Sequence, residues 1–242
     1  MNLRGLFSWL APKDDKPRTL DPPGPAPRPG QAPPDPLGLP DFLARMRIGD
    51  REPLTPAHFA AAARRLGVPT PVLQAVVQVE SGGAPAFGPD NLPTIRFEPH
   101  VFSALTNAQF DAAHPDVSYP DWDSRKYPRS QDVIWRQLAR AFALDGEHAL
   151  QATCWGLFQL LGVNFAACGF PTAAAFAASI AGSAGRQLEA FEAFIAGADL
   201  APLLKAKRWA EFAAAYTGEP DAPARGRQME RAYKALVKKQ PR

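Results

Sequence analysis

The chain has 242 residues, 46% of them apolar, and carries a formal net charge of +3 with a pI near 9.0. This length and apolar content suit one domain of ordinary size plus an appendage, and no apolar stretch is long enough to span a membrane. The small positive excess suits an anionic polymer or a membrane surface, and equally suits no electrostatic role.

The first eleven residues hold one arginine and a short apolar patch. They lack a sustained apolar core and a small-x-small cleavage site, so they make a poor signal peptide. A frayed terminus is the expected state, with a weak amphipathic anchor as the alternative. Residues 12 to 40 are crowded with Pro-Pro, Pro-x-Pro and Gly-Pro steps, in a chain with 27 prolines. Proline removes backbone donors and pushes its predecessor to extended geometry, so this stretch cannot build a packed core. Residues 1–40 are therefore expected to be a disordered appendage and 41–242 the folded domain.

Helical periodicity starts after Thr55-Pro56, a cap followed by proline in the first turn. Phe59, Ala62, Ala63 and Leu66 share one face, and Gly67 ends the helix. Thr70-Pro71 repeats the start signal for a second helix, which Gly82-Gly83 closes. Residues 84–98 read as a turn around Gly88-Pro89-Asp90-Asn91 and a short strand at Thr94–Phe97, in a small hairpin. Val101–Leu105 and Ala108–Ala113 read as short helical pieces, and 114–129 as a polar, proline-broken loop. Ser130 caps a helix holding Ile134, Leu138 and Ala141. Further helices are expected at Ala149–Leu161, Ala173–Ile180, Gly185–Ile195, Leu200–Leu204, Trp209–Tyr216 and Arg225–Val237. The fold class is mainly α: a compact helical domain with one small β-hairpin.

The second helix ends its apolar run Val72–Val79 in Glu80-Ser81. A carboxyl group on the rim of a buried helix sits in poor solvent, which disfavours its ionised form and lets it hold a proton near neutral pH. Cleavage of a glycosidic bond needs such a general acid. Taken alone, such a string more commonly marks a solvated helix end. Two later strings add to it: Cys154-Trp155-Gly156-Leu157-Phe158-Gln159-Leu160-Leu161-Gly162 and Ala214-Ala215-Tyr216-Thr217-Gly218.

Glu-Ser, then Gly-Leu-aromatic-Gln, then Ala-Tyr-x-Gly, in this order, resembles the lysozyme-like superfamily of peptidoglycan-cleaving enzymes. The closer resemblance is to the N-acetylmuramidase domain of phage endolysins, carried also by Ile95–Phe102, Gly162–Phe165, Gln187–Phe191 and Trp209–Ala213. It spans roughly residues 53 to 238 and implies a lysozyme-like α+β fold. It further implies a muramidase that cuts between N-acetylmuramic acid and N-acetylglucosamine, with Glu80 as general acid. A lytic transglycosylase using the same acid is the runner-up, and an inactive wall-binding module of a phage or secretion apparatus is a third reading.

A second carboxylate, where the chemistry needs one, is expected at Glu98, with Asp90 in reserve. Glu98 equally fits a structural role, paired with Arg96 or His100 or capping the helix that starts at Pro99. Ser81 is expected to fix the exit of the acid's helix and to contact substrate. Gln159 and Tyr216 are expected to contact substrate. Trp155 and Phe158 fit either a sugar platform or the core. Thr217 stands where the family generally has asparagine, which puts a sugar contact there in doubt. Cys154 stands where it usually has serine. Cys154 and Cys168 read as small buried thiols, with a single bridge formed after export as the alternative.

The four histidines have no metal-binding spacing, and no Cys-x-x-Cys or phosphate loop occurs, so neither metal nor cofactor is expected. The expected partner is the peptidoglycan glycan strand, not nucleic acid, with no stable membrane insertion. Without a signal peptide, the protein is expected to be made in the cytoplasm. Another system, a holin or a secretion apparatus, would deliver it to the periplasm or cell wall. Use as an antibacterial toxin would add an immunity protein to its partners.

Overall fold

The computed structural model describes residues 35–48, 52–88, 90–122, 127–218 and 222–239, without the side chain of Ile48. Most of the expected appendage, residues 1–34, lies outside the described residues. Its last part does not behave as an appendage. The Asp35 carboxylate accepts from the backbone N–H of Leu37 at 2.8 Å and of Leu39 at 3.3 Å, and Arg47 donates to it at 3.1 Å. Leu39 is buried and Leu37 packs on the core. The packed chain therefore reaches back at least to Asp35, ahead of helix α1 (Asp41–Ala44).

Helix α2 (Pro56–Leu66) begins as its sequence dictates. The Thr55 hydroxyl accepts from the His58 N–H and the His58 ring accepts from the Thr55 N–H, so both ends of the cap are satisfied. Gly67 closes the helix at φ 65°, a left-handed conformation that glycine adopts without cost. In α3 (Thr70–Glu80) the expected cap shifts by one residue. Pro69 takes the cap position and Thr70 is already helical. Val72, Leu73, Ala75 and Val76 have no exposed surface, so α3 runs through the interior.

The sheet differs from the expected local hairpin. Strand β1 (Ile95–Phe97) pairs antiparallel with β2 (Thr153–Trp155), which pairs antiparallel with β3 (Leu160–Leu161). The register sets Arg96 opposite Cys154 and Ile95 opposite Trp155. The turn before β1 carries an isolated bridge between Phe87 and Pro93, and the Gly88 N–H donates to the Leu92 carbonyl at 2.8 Å. The hairpin lies instead in β2–β3, within the stretch Ala149–Leu161 expected as helix. There α6 (Gly146–Gln151) stops short. Thr153-Cys154-Trp155 suits a pleated strand, and Gly156 turns the chain at φ 68°. A Cβ at Gly156 would stand 2.6 Å from the Gln187 side chain, so only glycine fits that turn. The free edge of β1 is covered by α5 (Gln131–Leu144). Gln131 makes two 2.9 Å hydrogen bonds to the Ile95 backbone, and Trp135 Nε1 donates to the Pro93 carbonyl at 3.1 Å.

Helix α4 (Pro99–Leu105) covers the first expected helical piece after β1, whereas Ala108–Ala113 forms turns rather than helix. Helices α7 (Ala173–Ile180), α8 (Ala184–Gly197), α9 (Ala201–Lys205), α10 (Trp209–Thr217) and α11 (Ala222–Lys238) complete the domain close to their expected bounds. Phe158, Phe191, Phe194 and Phe212 are buried and surround the Tyr216 ring, with Phe158 and Phe191 stacked at 4.3 Å. Helix α11 packs against both α10 and α3, and a Cβ at Gly226 would meet Ala210 Cα at 2.7 Å. That close approach sets the start of α11 directly on α10.

Candidate active site

Glu80 is the last residue of α3. Its carboxyl is 2% exposed, while Gly82 and Gly83 just beyond it are exposed. The exit is held by Ser81, whose Oγ accepts from the Gly83 N–H at 3.1 Å, and both glycines take positive φ. This is the local geometry the sequence led one to expect: an apolar helix behind the carboxyl and an exposed turn ahead of it.

Nothing local in the sequence points to a partner for the Glu80 carboxylate. Arg225 Nη1 in the first turn of α11 stands 3.0 Å from Glu80 Oε2. Burial and the guanidinium act on the carboxyl in opposite directions, the first against its charged form and the second for it. Arg225 is 145 positions away in sequence, so no local pattern could have paired the two.

Tyr216 lies beside them in α10. Its hydroxyl donates to the Phe158 carbonyl at 2.7 Å. Burial raises the phenol well above its ordinary pKa, and Glu80, Cys168 and Cys154 push the same way while Arg225 opposes. Glu80, Arg225, Tyr216 and Cys154 thus share one electrostatic neighbourhood. The Tyr216 hydroxyl is committed to the β2–β3 turn, where it sets the position of Gly156–Gln159. In that turn Gln159 adopts φ 47°, and its side-chain amide donates to the Gly156 carbonyl at 2.8 Å. Gln187 supports the turn from beneath, accepting from Leu157 N–H at 2.8 Å and donating to the Ile180 carbonyl at 3.1 Å. Trp155 and Phe158 are each 1% exposed and belong to the core. The Thr217 hydroxyl donates back to the Ala213 carbonyl at 3.0 Å.

Glu98 lies on the same sheet face as Arg96 and Cys154 and is 3% exposed. Arg96 Nε pairs with Oε1, and the Tyr127 hydroxyl donates to Oε2. His100 Nδ1 stands 3.6 Å from Oε2, and the Cys154 thiol donates to Oε1 at 3.6 Å. At the N-cap position of α4, Glu98 makes no side-chain cap bond, so its carboxylate serves the network rather than the helix. Burial lowers the His100 pKa, with Glu98 raising it and Arg96 lowering it. Burial raises the Tyr127 phenol pKa above the ordinary range, and Glu98 adds to that. Tyr127 is a partner that sequence reasoning missed, since it falls in a stretch read only as loop. Asp90, the reserve carboxylate, accepts from the Leu92 N–H at 3.2 Å within its own turn.

Cys154 and Cys168 are buried free thiols, and burial pushes Cys168 up to about 12. Among the described residues no group of three or more histidines, cysteines or carboxylates is placed to hold a metal ion. No helix among them is long and apolar enough to cross a membrane.

Comparison with known proteins bears on this site. Residues 69–236 match the family model of N-acetylmuramidase. Among solved structures the chain is similar to the Burkholderia AP3 phage endolysin, with a TM-score of 0.68 and 34% sequence identity. That match covers 78% of this chain and 72% of the other. No curated protein matches at a significant level.

Proposed function

We propose that this chain, which belongs to the N-acetylmuramidase family and is a glycoside hydrolase of the lysozyme type, cuts the bond between N-acetylmuramic acid and N-acetylglucosamine in peptidoglycan, with Glu80 as general acid. One observation carries the assignment of Glu80: a carboxyl group 2% exposed, at the end of a buried helix, next to an exposed Gly82-Gly83 turn. Glu80 delivers its proton to the leaving glycosidic oxygen as an oxocarbenium-like centre develops on the adjoining sugar. Ser81 holds the exit of α3. Gln159 presents its turn to the glycan, and Tyr216 acts by positioning that turn through Phe158.

The engagement of Glu98 with Arg96, Tyr127, His100 and Cys154 favours a structural role for it. Support for the developing cation then comes from the substrate's own acetamido group, or from Glu80 acting alone. The same observation favours a second reading, a lytic transglycosylase, in which one glutamate acts first as acid and then as base. Mass spectrometry of digested peptidoglycan separates them. Reducing muramic ends identify the hydrolase, and anhydro-muramic ends the transglycosylase. A zymogram that fails to clear would contradict both. Delivery to the wall by a holin or secretion apparatus, and use as a toxin with an immunity protein, are readings that the neighbouring genes would test.

A further inference from the structure

A general acid must hold its proton while substrate is bound, yet a guanidinium 3.0 Å away favours the carboxylate. The two requirements are compatible if the guanidinium has somewhere else to go when substrate arrives. Arg225 retains 15% of its side-chain surface, against 2% for Glu80, so the guanidinium is the more exposed member of the pair. The backbone beneath it is held firmly, because Gly226 packs directly on Ala210. Exchange of partners by side-chain rotation leaves that packing in place.

We propose that Arg225 is an exchangeable counter-ion and a specificity residue. In the free enzyme it pairs with Glu80; in the complex it pairs with a carboxylate of the peptide substituents on the glycan, which releases Glu80 to take up a proton from solvent. The proton goes next to the leaving oxygen, so the carboxylate is restored when the bond breaks. A glycan without anionic substituents cannot draw Arg225 away. The active site thereby discriminates peptide-bearing strands from neutral ones by the protonation state of its own acid. The inference rests on Glu80 as the acid.

Among the described residues, the groups on α10, α3 and α2 do not supply this control. Tyr216, facing it from α10, is held by Phe158 and titrates far above the working range. No other charged side chain lies on α3. On α2, His58 is exposed and bonded to Thr55. Arg64 and Arg65 lie at the turn into α3, at the opposite end from Glu80.

The test uses pH profiles on soluble glycan fragments that carry their stem peptides. The alkaline limb of kcat/KM reports the acid in the free enzyme, and that of kcat reports it in the complex. The wild type is expected to show the kcat limb at higher pH, by about 1–3 units, the usual effect of one adjacent opposite charge. The separation is expected to vanish on the same fragments with their carboxylates amidated. In Arg225→Gln both limbs are expected at the higher pH, while Arg225→Lys keeps part of the separation. Coincident limbs in the wild type, or a separation that survives amidation, would overturn the proposal. The amidation arm uses the wild type alone, so it decides even where a variant folds poorly. Retained activity in Glu80→Gln would instead overturn the underlying assignment of the acid.

Discussion

The Tyr216 hydroxyl donates to the Phe158 carbonyl at 2.7 Å, tying helix α10 to the turn that carries Gln159. Removing that hydroxyl leaves a buried carbonyl without its donor. Tyr216→Phe is expected to cost about 1–3 kcal/mol. In a domain of this size that is a Tm fall of roughly 2–4 °C for each kcal/mol. At temperatures where the variant is folded, its KM for peptidoglycan fragments is expected to rise modestly through the loosened turn. Unchanged stability together with a large rise in KM would show instead that the hydroxyl touches the glycan.

Glu98 is expected to act through folding. Glu98→Gln removes the charge that Arg96 pairs with and turns one acceptor oxygen into a donor facing Arg96 or Tyr127. Hydrogen bonds to charged groups contribute about 1.5–3 kcal/mol, and Tm is expected to fall accordingly. Turnover per folded molecule is expected to stay within a few-fold of wild type. A variant of normal Tm with turnover lost would make Glu98 the catalytic second carboxylate.

His100 gives stability a pH dependence of definite sign. Burial lowers its pKa in the folded state below the ordinary value of about 6.5, so the unfolded chain binds the proton more readily. Stability is therefore full above about pH 6.5 and falls as pH drops from there toward the lowered folded value. Thermal unfolding between pH 5 and 7 is expected to show this slope, and His100→Asn to flatten it. An equally steep slope in the variant would assign the effect to other groups.

Truncation distinguishes the proline-rich sequence from the packed segment that follows it. Deleting residues 1–34 is expected to leave Tm and activity on purified peptidoglycan unchanged, since a proline-rich stretch buries little apolar surface. Deleting 1–40 also removes buried Leu39 and the Asp35–Arg47 pair. Burial of a leucine contributes about 1.5–3 kcal/mol, so this longer deletion is expected to lower Tm clearly. Equal Tm values for the two truncations would show that residues 35–40 contribute nothing.

Much of the helical framework was legible in the sequence, because caps and periodicity are local signals. Thr55-Pro56 starts α2 and Gly67 ends it where expected, and Ala173–Ile180 is helical over its whole expected length. The sheet was not legible in the same way. Strand β1 finds its partner in β2, more than fifty positions on, and the cue for β2–β3 was a single glycine inside an apolar run that also fits a helix. Within the candidate site, Glu80 and Ser81 stand at the exit of α3 where the local string puts them, whereas the Gly156–Gln159 string, expected as helix, forms a turn. Arg225, Tyr127 and Gln187 were not legible, because their meaning comes from what the fold brings to them. Arg225 reads as an ordinary helical arginine until α11 packs on α3.

Glu80→Gln, assayed for turnover on purified peptidoglycan and for Tm on the same preparation, tests the assignment of the acid most directly. The amide keeps the shape of the side chain but cannot deliver a proton, and it removes the negative charge beside the half-buried Arg225 guanidinium. Tm is therefore expected to fall, and the assay belongs well below it. Loss of a general acid costs about a hundredfold or more in rate. The account requires a loss of that size in folded protein, and retention of more than about a tenth of wild-type turnover would contradict it.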